Sequence, residues 1–186
     1  LFLMENEDPF LVIGRLNYYS AKETVWIKNI LQHHKFENEI CQSLKKYNKK
    51  GLKIGIAGEH LMPFYLRDIL TRAMPDVEFP IVTDILDDMR KIKSIKEIEL
   101  MEKAAEINDS VLTELKKIIK VGMTEQQVVA HADFLGRQLG ADLGSATVVM
   151  SGKNTKFPAW RATEKKLEKG ELLMVDFNPT IGHYCN

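Results

Sequence analysis

The chain has 186 residues, 45% apolar and 28% charged, with Lys+Arg and Asp+Glu at 26 each and no net charge. That length supports one good core or two small domains, and the even balance gives no acidic or basic excess to suit nucleic acid or a membrane surface. Two cysteines, Cys41 and Cys185, are too few for a disulfide framework and no apolar run approaches the ~20 residues that span a bilayer, so a reducing cytoplasm is the expected setting.

The opening Leu1-Phe2-Leu3-Met4 runs at once into Glu5, Glu7 and Asp8, unlike a signal peptide. Phe10-Leu11-Val12-Ile13, closed by Gly14, reads as a strand, and Thr24-Val25-Trp26-Ile27 as a second. Phe36 to Tyr47 carries apolar residues at helical spacing. Leu52 to Gly58 reads as a strand ending in a turn, and Leu61 to Met74 as a helix stopped by Pro75. This βαβα rhythm predicts an α/β domain with a partly parallel sheet over about residues 1–85. A boundary is expected between Asp84 and Ser94, with a second domain over 86–186.

Ser94-Ile95-Lys96-Glu97 is a capping box opening a long helix, with Ile98, Met101, Ala105, Leu112, Leu115 and Ile119 on one face and Gly122 near its end. Thr124-Glu125-Gln126-Gln127 is a second capping box, starting a helix through Leu139. Ala146 to Met150 and Leu172 to Phe177 read as strands. Two helices followed by strands predict an α+β order for this half.

Few residues carry a chemical signal of their own. Gly55-Ile56-Ala57-Gly58 lacks the third glycine of a dinucleotide fingerprint and the Gly-Lys-Ser/Thr of a P-loop, so it reads as a tight turn. His33-His34 reads as a surface loop, His60 as isolated, His131 as structural, and Asn108 as a buried amide with a backbone partner. Lys45-Lys46 and Lys165-Lys166 read as solvated faces. Asp176 is different. It ends the apolar run Leu172-Leu173-Met174-Val175, and a carboxylate leaving a buried strand suits a hard divalent cation. Ser151-Gly152-Lys153-Asn154-Thr155, rich in turn formers after a strand, could place backbone groups near a substrate.

The order and spacing of several segments resemble the creatinase/prolidase/aminopeptidase P superfamily, the pita-bread metallohydrolases. Met89-Arg90-Lys91-Ile92-Lys93-Ser94, with Glu97-Ile98 and Ala104-Ala105, is similar to the start of that family's catalytic domain. Gly122-Met123-Thr124-Glu125 is similar to its second helix start. Ser151-Gly152-Lys153-Asn154 resembles its SG-x-N loop, and Gly170 to Phe177 its strand ending in aspartate. The upstream α/β segment resembles the non-catalytic N-terminal domain of prolidases and creatinases.

The resemblance implies a fold, an α/β N-terminal domain followed by the first part of an α+β pita-bread domain. It also implies a chemistry: two divalent ions (Mn, Co, Zn or Fe) bridged by hydroxide and held by two Asp, one His and two Glu. Asp176 matches the first aspartate, whereas the second falls one position beyond Asn186 and the other ligands further on. The chain, which begins without methionine, is therefore expected to be an excerpt that is inactive by itself. The implied activity is C–N bond hydrolysis, by default of Xaa-Pro dipeptides, in a homodimer. Trp160, His183 and Tyr184 stand where substrate contacts are expected. Ala159 replaces the histidine that follows the proline in family peptidases, and losing one such donor typically costs about 10²–10³ in rate. A creatinase-like hydrolase of a small amide-like substrate, or a non-catalytic peptide-binding relative, are the alternatives. His183 replaces a glycine common before the family's tyrosine and reads as a strand histidine facing solvent.

Overall fold

The computed structural model describes residues 1–33, 36–143, 146–158 and 161–185. The chain divides into two compact units, Leu1–Lys91 and Ile92–Asn186. Among the described residues no helix is long and apolar enough to cross a membrane.

In the first unit, β1 (Phe10–Gly14) leads through α1 (Arg15–Thr24) to β2 (Asn29–His33). The two strands pair in parallel from Phe10↔Asn29 to Gly14↔His33, a short right-sized crossover of the kind parallel pairs need. The strand expected over Thr24–Ile27 is absent. Thr24 instead ends α1, and the Val25 N–H closes that helix on the Ala21 carbonyl (2.9 Å). The β-branched and aromatic run has the propensity of a strand, but here it serves as a connection, with Trp26 exposed and Ile27 buried.

The helix expected from Phe36 forms as α2 (Phe36–Leu44), continued by a 3-10 turn over Lys45–Tyr47, and Ile40 and Leu44 are buried. Leu52–Gly58 is extended but is not a continuous strand. Ile54 donates to the Glu78 carbonyl (2.9 Å), Ile56 to the Pro80 carbonyl (2.8 Å) and Val82 to the Ile56 carbonyl (2.9 Å). The missing rung is the one Pro80 would donate, and proline has no N–H to give. Next come α3 (Phe64–Ala73), ahead of Pro75, and α4 (Thr83–Lys91), which occupies the stretch expected to be a boundary. Phe10, Val12, Ile40, Leu44, Leu70, Met74 and Val77 form this unit's core.

The second unit opens with α5 (Ile95–Ile118) and α6 (Glu125–Gln138), and both expected capping boxes are closed. Ser94 N–H donates to Glu97 Oε2 (2.6 Å), and Thr124 N–H to Gln127 Oε1 (2.9 Å). The strands are β3 (Asp142–Leu143), β4 (Val148–Ser151), β5 (Leu173–Asp176), β6 (Pro179–Ile181) and β7 (Tyr184–Cys185). β4 and β5 pair antiparallel, and β3-β6-β7 form a second antiparallel sheet. Val149, Leu173 and Val175 share one face of the β4–β5 pair and join Val111, Leu115, Val128 and Ala132 of the helices in the core.

Three readings of single residues need correction. Asn108 Oδ1 is buried on α5 with no partner among the described residues, because each neighbouring helical N–H already donates four residues back. His131 is exposed on α6 rather than part of the packing. Lys165 is no solvated lysine: with only 15% of its side chain exposed, it pairs with Glu171 (2.5 Å) and donates to the Lys166 carbonyl (3.1 Å). His33 closes β2, while His34 lies outside the described residues.

Candidate functional site

Asp176 is the last residue of β5 and is exposed. Antiparallel register places it opposite Val148, the first residue of β4, and Asn178 Nδ2 donates to its Oδ1 (2.7 Å). The residue after it, Phe177, is buried against α6. Gly136 makes that approach possible, since a Cβ there would stand 2.5 Å from Phe177 Cζ. A helix glycine with no turn to make thus sets how closely α6 lies on the strand end that carries Asp176.

Ser151–Asn154, the turn that ends β4, is held from below. Gly152 adopts φ 48°, and the Glu171 carboxylate lies where its side chain would be, 2.1 Å from an added Cβ. The Gly152 N–H donates to the Leu172 carbonyl (2.9 Å). Beneath the turn lies Glu125, the first residue of α6, fully buried. Ser151, Asn154 and Thr163 all donate to its carboxylate. Burial pushes its pKa up, but the Thr163 side chain and backbone, then Asn154 and Ser151, outweigh that and hold it at about 2.

A cleft of about 610 Å³ opens beside this network. Gln126 and Val129 of α6 line one side, Thr147 and Val148 another, and Arg161 and Ala162 the third. Thr147 Oγ1 donates to Asp133 Oδ1 (2.5 Å), fixing the start of β4 to α6. Arg161 brings the one charge among the lining residues described.

The other residues expected at a site lie apart from this cleft or outside view. Trp160 and Ala159 lie outside the described residues. His183 is exposed but sits in a turn rather than a strand. Gly182 (φ 56°) and His183 (φ 71°) form the two-residue loop between Ile181 and Tyr184, and positive φ at both positions is the type I′ geometry that matches strand twist. Histidine replaces the expected glycine because it is among the side chains that tolerate this region best. Tyr184 Oη donates to Glu97 Oε1 (2.7 Å), tying β7 to the first turn of α5. Among the described residues no three His, Cys, Asp or Glu come together in a way that could hold a metal ion.

Glu125 carries no site signal in the sequence, where it is simply an acid in the first turn of a helix. Its partners lie 26, 29 and 38 residues away, so no local pattern records them.

Comparison with known proteins adds a family to this geometry. Residues 1–92 match the creatinase/prolidase N-terminal domain, and residues 99–186 match metallopeptidase family M24. An Xaa-Pro dipeptidase of Pyrococcus horikoshii is 30% identical over 183 residues, which are 98% of this chain and 50% of the relative. An uncharacterised peptidase of Methanocaldococcus jannaschii is 31% identical over 99% of this chain and 48% of its own length. Among solved structures, an X-Pro aminopeptidase from Thermotoga maritima superposes with a TM-score of 0.84 at 26% identity, covering 95% of this chain and 49% of that one. The prolidase from Pyrococcus furiosus superposes at 0.78 and 27% identity, over 98% of this chain and 52% of its own. The chain therefore spans about half the length of the relatives it matches, and its second unit has the fold of the first part of their pita-bread domain.

Proposed function

Because the chain belongs to the creatinase, prolidase and M24 metallopeptidase family, we propose that it serves a metal-dependent peptidase that cleaves Xaa-Pro dipeptides. The observation that carries this reading is Asp176. It stands exposed at the end of β5, within the M24-matched residues and opposite a strand that lines a cleft. Two divalent ions, Mn, Co, Zn or Fe, are part of the proposal, with Asp176 as one ligand. When bound, such ions lower the pKa of a water and stabilise the developing oxyanion. The described residues do not compose that centre by themselves, since they bring one suitable carboxylate and no cluster of three ligands.

What this chain's own residues supply is position. Asn178 orients the Asp176 carboxylate, Phe177 packed on Gly136 fixes its strand end, and Glu125 orders the turn after β4. A homodimer in a reducing compartment completes the proposal. It is supported by the free cysteines Cys41 and Cys185, and by α4, which buries no residue and leaves Ile85, Leu86 and Met89 exposed.

The test is metal binding and turnover by the full encoded protein. Loaded with Mn²⁺ without oxygen, it is expected to hydrolyse Xaa-Pro dipeptides, while Asp176→Ala loses at least about one bound ion per chain and nearly all activity. Protein that takes up no divalent ion under these conditions ends the hydrolase reading. Protein that binds metal but leaves Xaa-Pro dipeptides intact favours the second reading, a creatinase-like hydrolase, for which Ala159 in place of the family histidine is the motivating residue.

A further inference from the structure

Two runs of chain, each at least 26 residues from Glu125, end on its carboxylate. Glu125 Oε1 accepts from the Ser151 N–H (2.7 Å) and Ser151 Oγ (2.9 Å). Glu125 Oε2 accepts from the Thr163 N–H (2.9 Å) and Thr163 Oγ1 (2.7 Å). Asn154 Nδ2 reaches both oxygens, at 3.0 and 3.2 Å. Every partner is a donor and none is a cation, so the charge is met by the dipoles of Ser151, Asn154 and Thr163.

The same two runs wall the cleft. Ser151 ends the strand that Val148 begins, and Thr163 follows Arg161 and Ala162 directly. The helix that carries Glu125 supplies the remaining side through Gln126 and Val129. We propose that Glu125 is a positioning residue for this cleft, holding its two walls on the first turn of α6 at the spacing that admits a short peptide substrate. This rests on the peptidase reading for the identity of the ligand, and on hydrogen-bond geometry alone for the tether.

The chemistry of an amide makes the point testable. Each carboxylate oxygen takes one backbone N–H, and a backbone N–H cannot turn away as a hydroxyl can. Glutamine has one acceptor oxygen, so Glu125→Gln must leave either Ser151 or Thr163 facing an NH₂ group, whichever way its amide is flipped. Glu125→Asp keeps both acceptors and shortens their reach.

The experiment is hydrogen exchange by mass spectrometry on the full encoded protein, with kcat and KM for Ala-Pro measured on the same Mn²⁺-loaded samples. In Glu125→Gln, amides in 151–154 or 161–163 are expected to exchange at least about tenfold faster, as the loss of one buried hydrogen bond implies, with those of α5 unchanged. KM is expected to rise about tenfold with kcat within about threefold, since the walls bind rather than react. Glu125→Asp should recover part of both changes. Thr163→Val, which removes a hydroxyl that donates to Glu125 and accepts from the Lys165 N–H and Asn154 Nδ2, should loosen 161–165 more than 151–154 and covers the case in which Glu125→Gln does not fold. Unchanged exchange in both segments overturns the proposal. So does faster exchange with an unchanged KM, which would make Glu125 a stability residue only. A wild type that turns over no Xaa-Pro dipeptide removes the peptidase reading by itself, and exchange in the two segments then decides the tether.

Discussion

Glu97 and Glu125 are both held at about pKa 2, by different surroundings. For Glu97 the Ser94 backbone N–H is the largest cause, followed by the Tyr184 hydroxyl and the Ser94 side chain. For Glu125 burial works against ionisation and the donors of Thr163, Asn154 and Ser151 overcome it. A folded-state pKa below the usual value of 4.5 stabilises the protein fully above that value, and the gain is lost as pH falls toward 2. Glutamine does not titrate, so the stability gap between wild type and Glu125→Gln should be widest near neutrality and narrow steadily from about pH 4.5 to 2. Urea midpoints at several pH values measure this, and a gap that stays constant across the window would show that the carboxylate is not what the donors hold. The residue scale is also where the sequence is least legible. Asp176 stands out because an apolar run precedes it, whereas the partners of Glu125 lie too far along the chain for any pattern to mark it.

Among the elements, the helices with capping boxes were legible because their signal is local. Ser94 with Glu97, and Thr124 with Gln127, fix both starts within four residues. The strands were legible where the sequence carries a continuous apolar run, as in β5, and misleading at Thr24–Ile27, where propensity favours a strand that the fold does not use. Leu52–Gly58 shows a third case, an extended segment whose ladder is interrupted by a proline on its partner. The contact between α6 and β5 leads to a prediction at this scale. Gly136→Ala brings a methyl against the buried Phe177 ring, at a typical overpacking cost of about 1–3 kcal/mol, offset by up to about 1 kcal/mol of helix propensity. Net destabilisation is expected, and Phe177→Leu on the same background should recover part of it. A neutral Gly136→Ala in chemical denaturation would mean that the overpacking cost is no larger than the gain in helix propensity, so that α6 yields easily on the strand.

At the scale of the whole molecule, the described residues form two buried clusters, one built from residues of the first unit and one from the second. In the sequence, alternating strands and helices give way to helices followed by strands. The register of the small β3-β6-β7 sheet could not be read in advance, because its strands are only two or three residues long. Among the described residues the surface carries five ion pairs whose side chains are 48–72% exposed, and one sheltered pair, Lys165 with Glu171 at 15% and 24%. Exposed pairs are each worth about 0–1 kcal/mol and are screened as ionic strength rises. The charge on Glu125 has no such weakness, because its partners are buried dipoles rather than counter-ions. Raising NaCl from about 0.1 to 1 M, which shortens the screening length from about 10 to 3 Å, should therefore leave exchange at Ser151 and Thr163 unchanged while the exposed pairs weaken. The ordering of the cleft would then be indifferent to the salt in which the protein works.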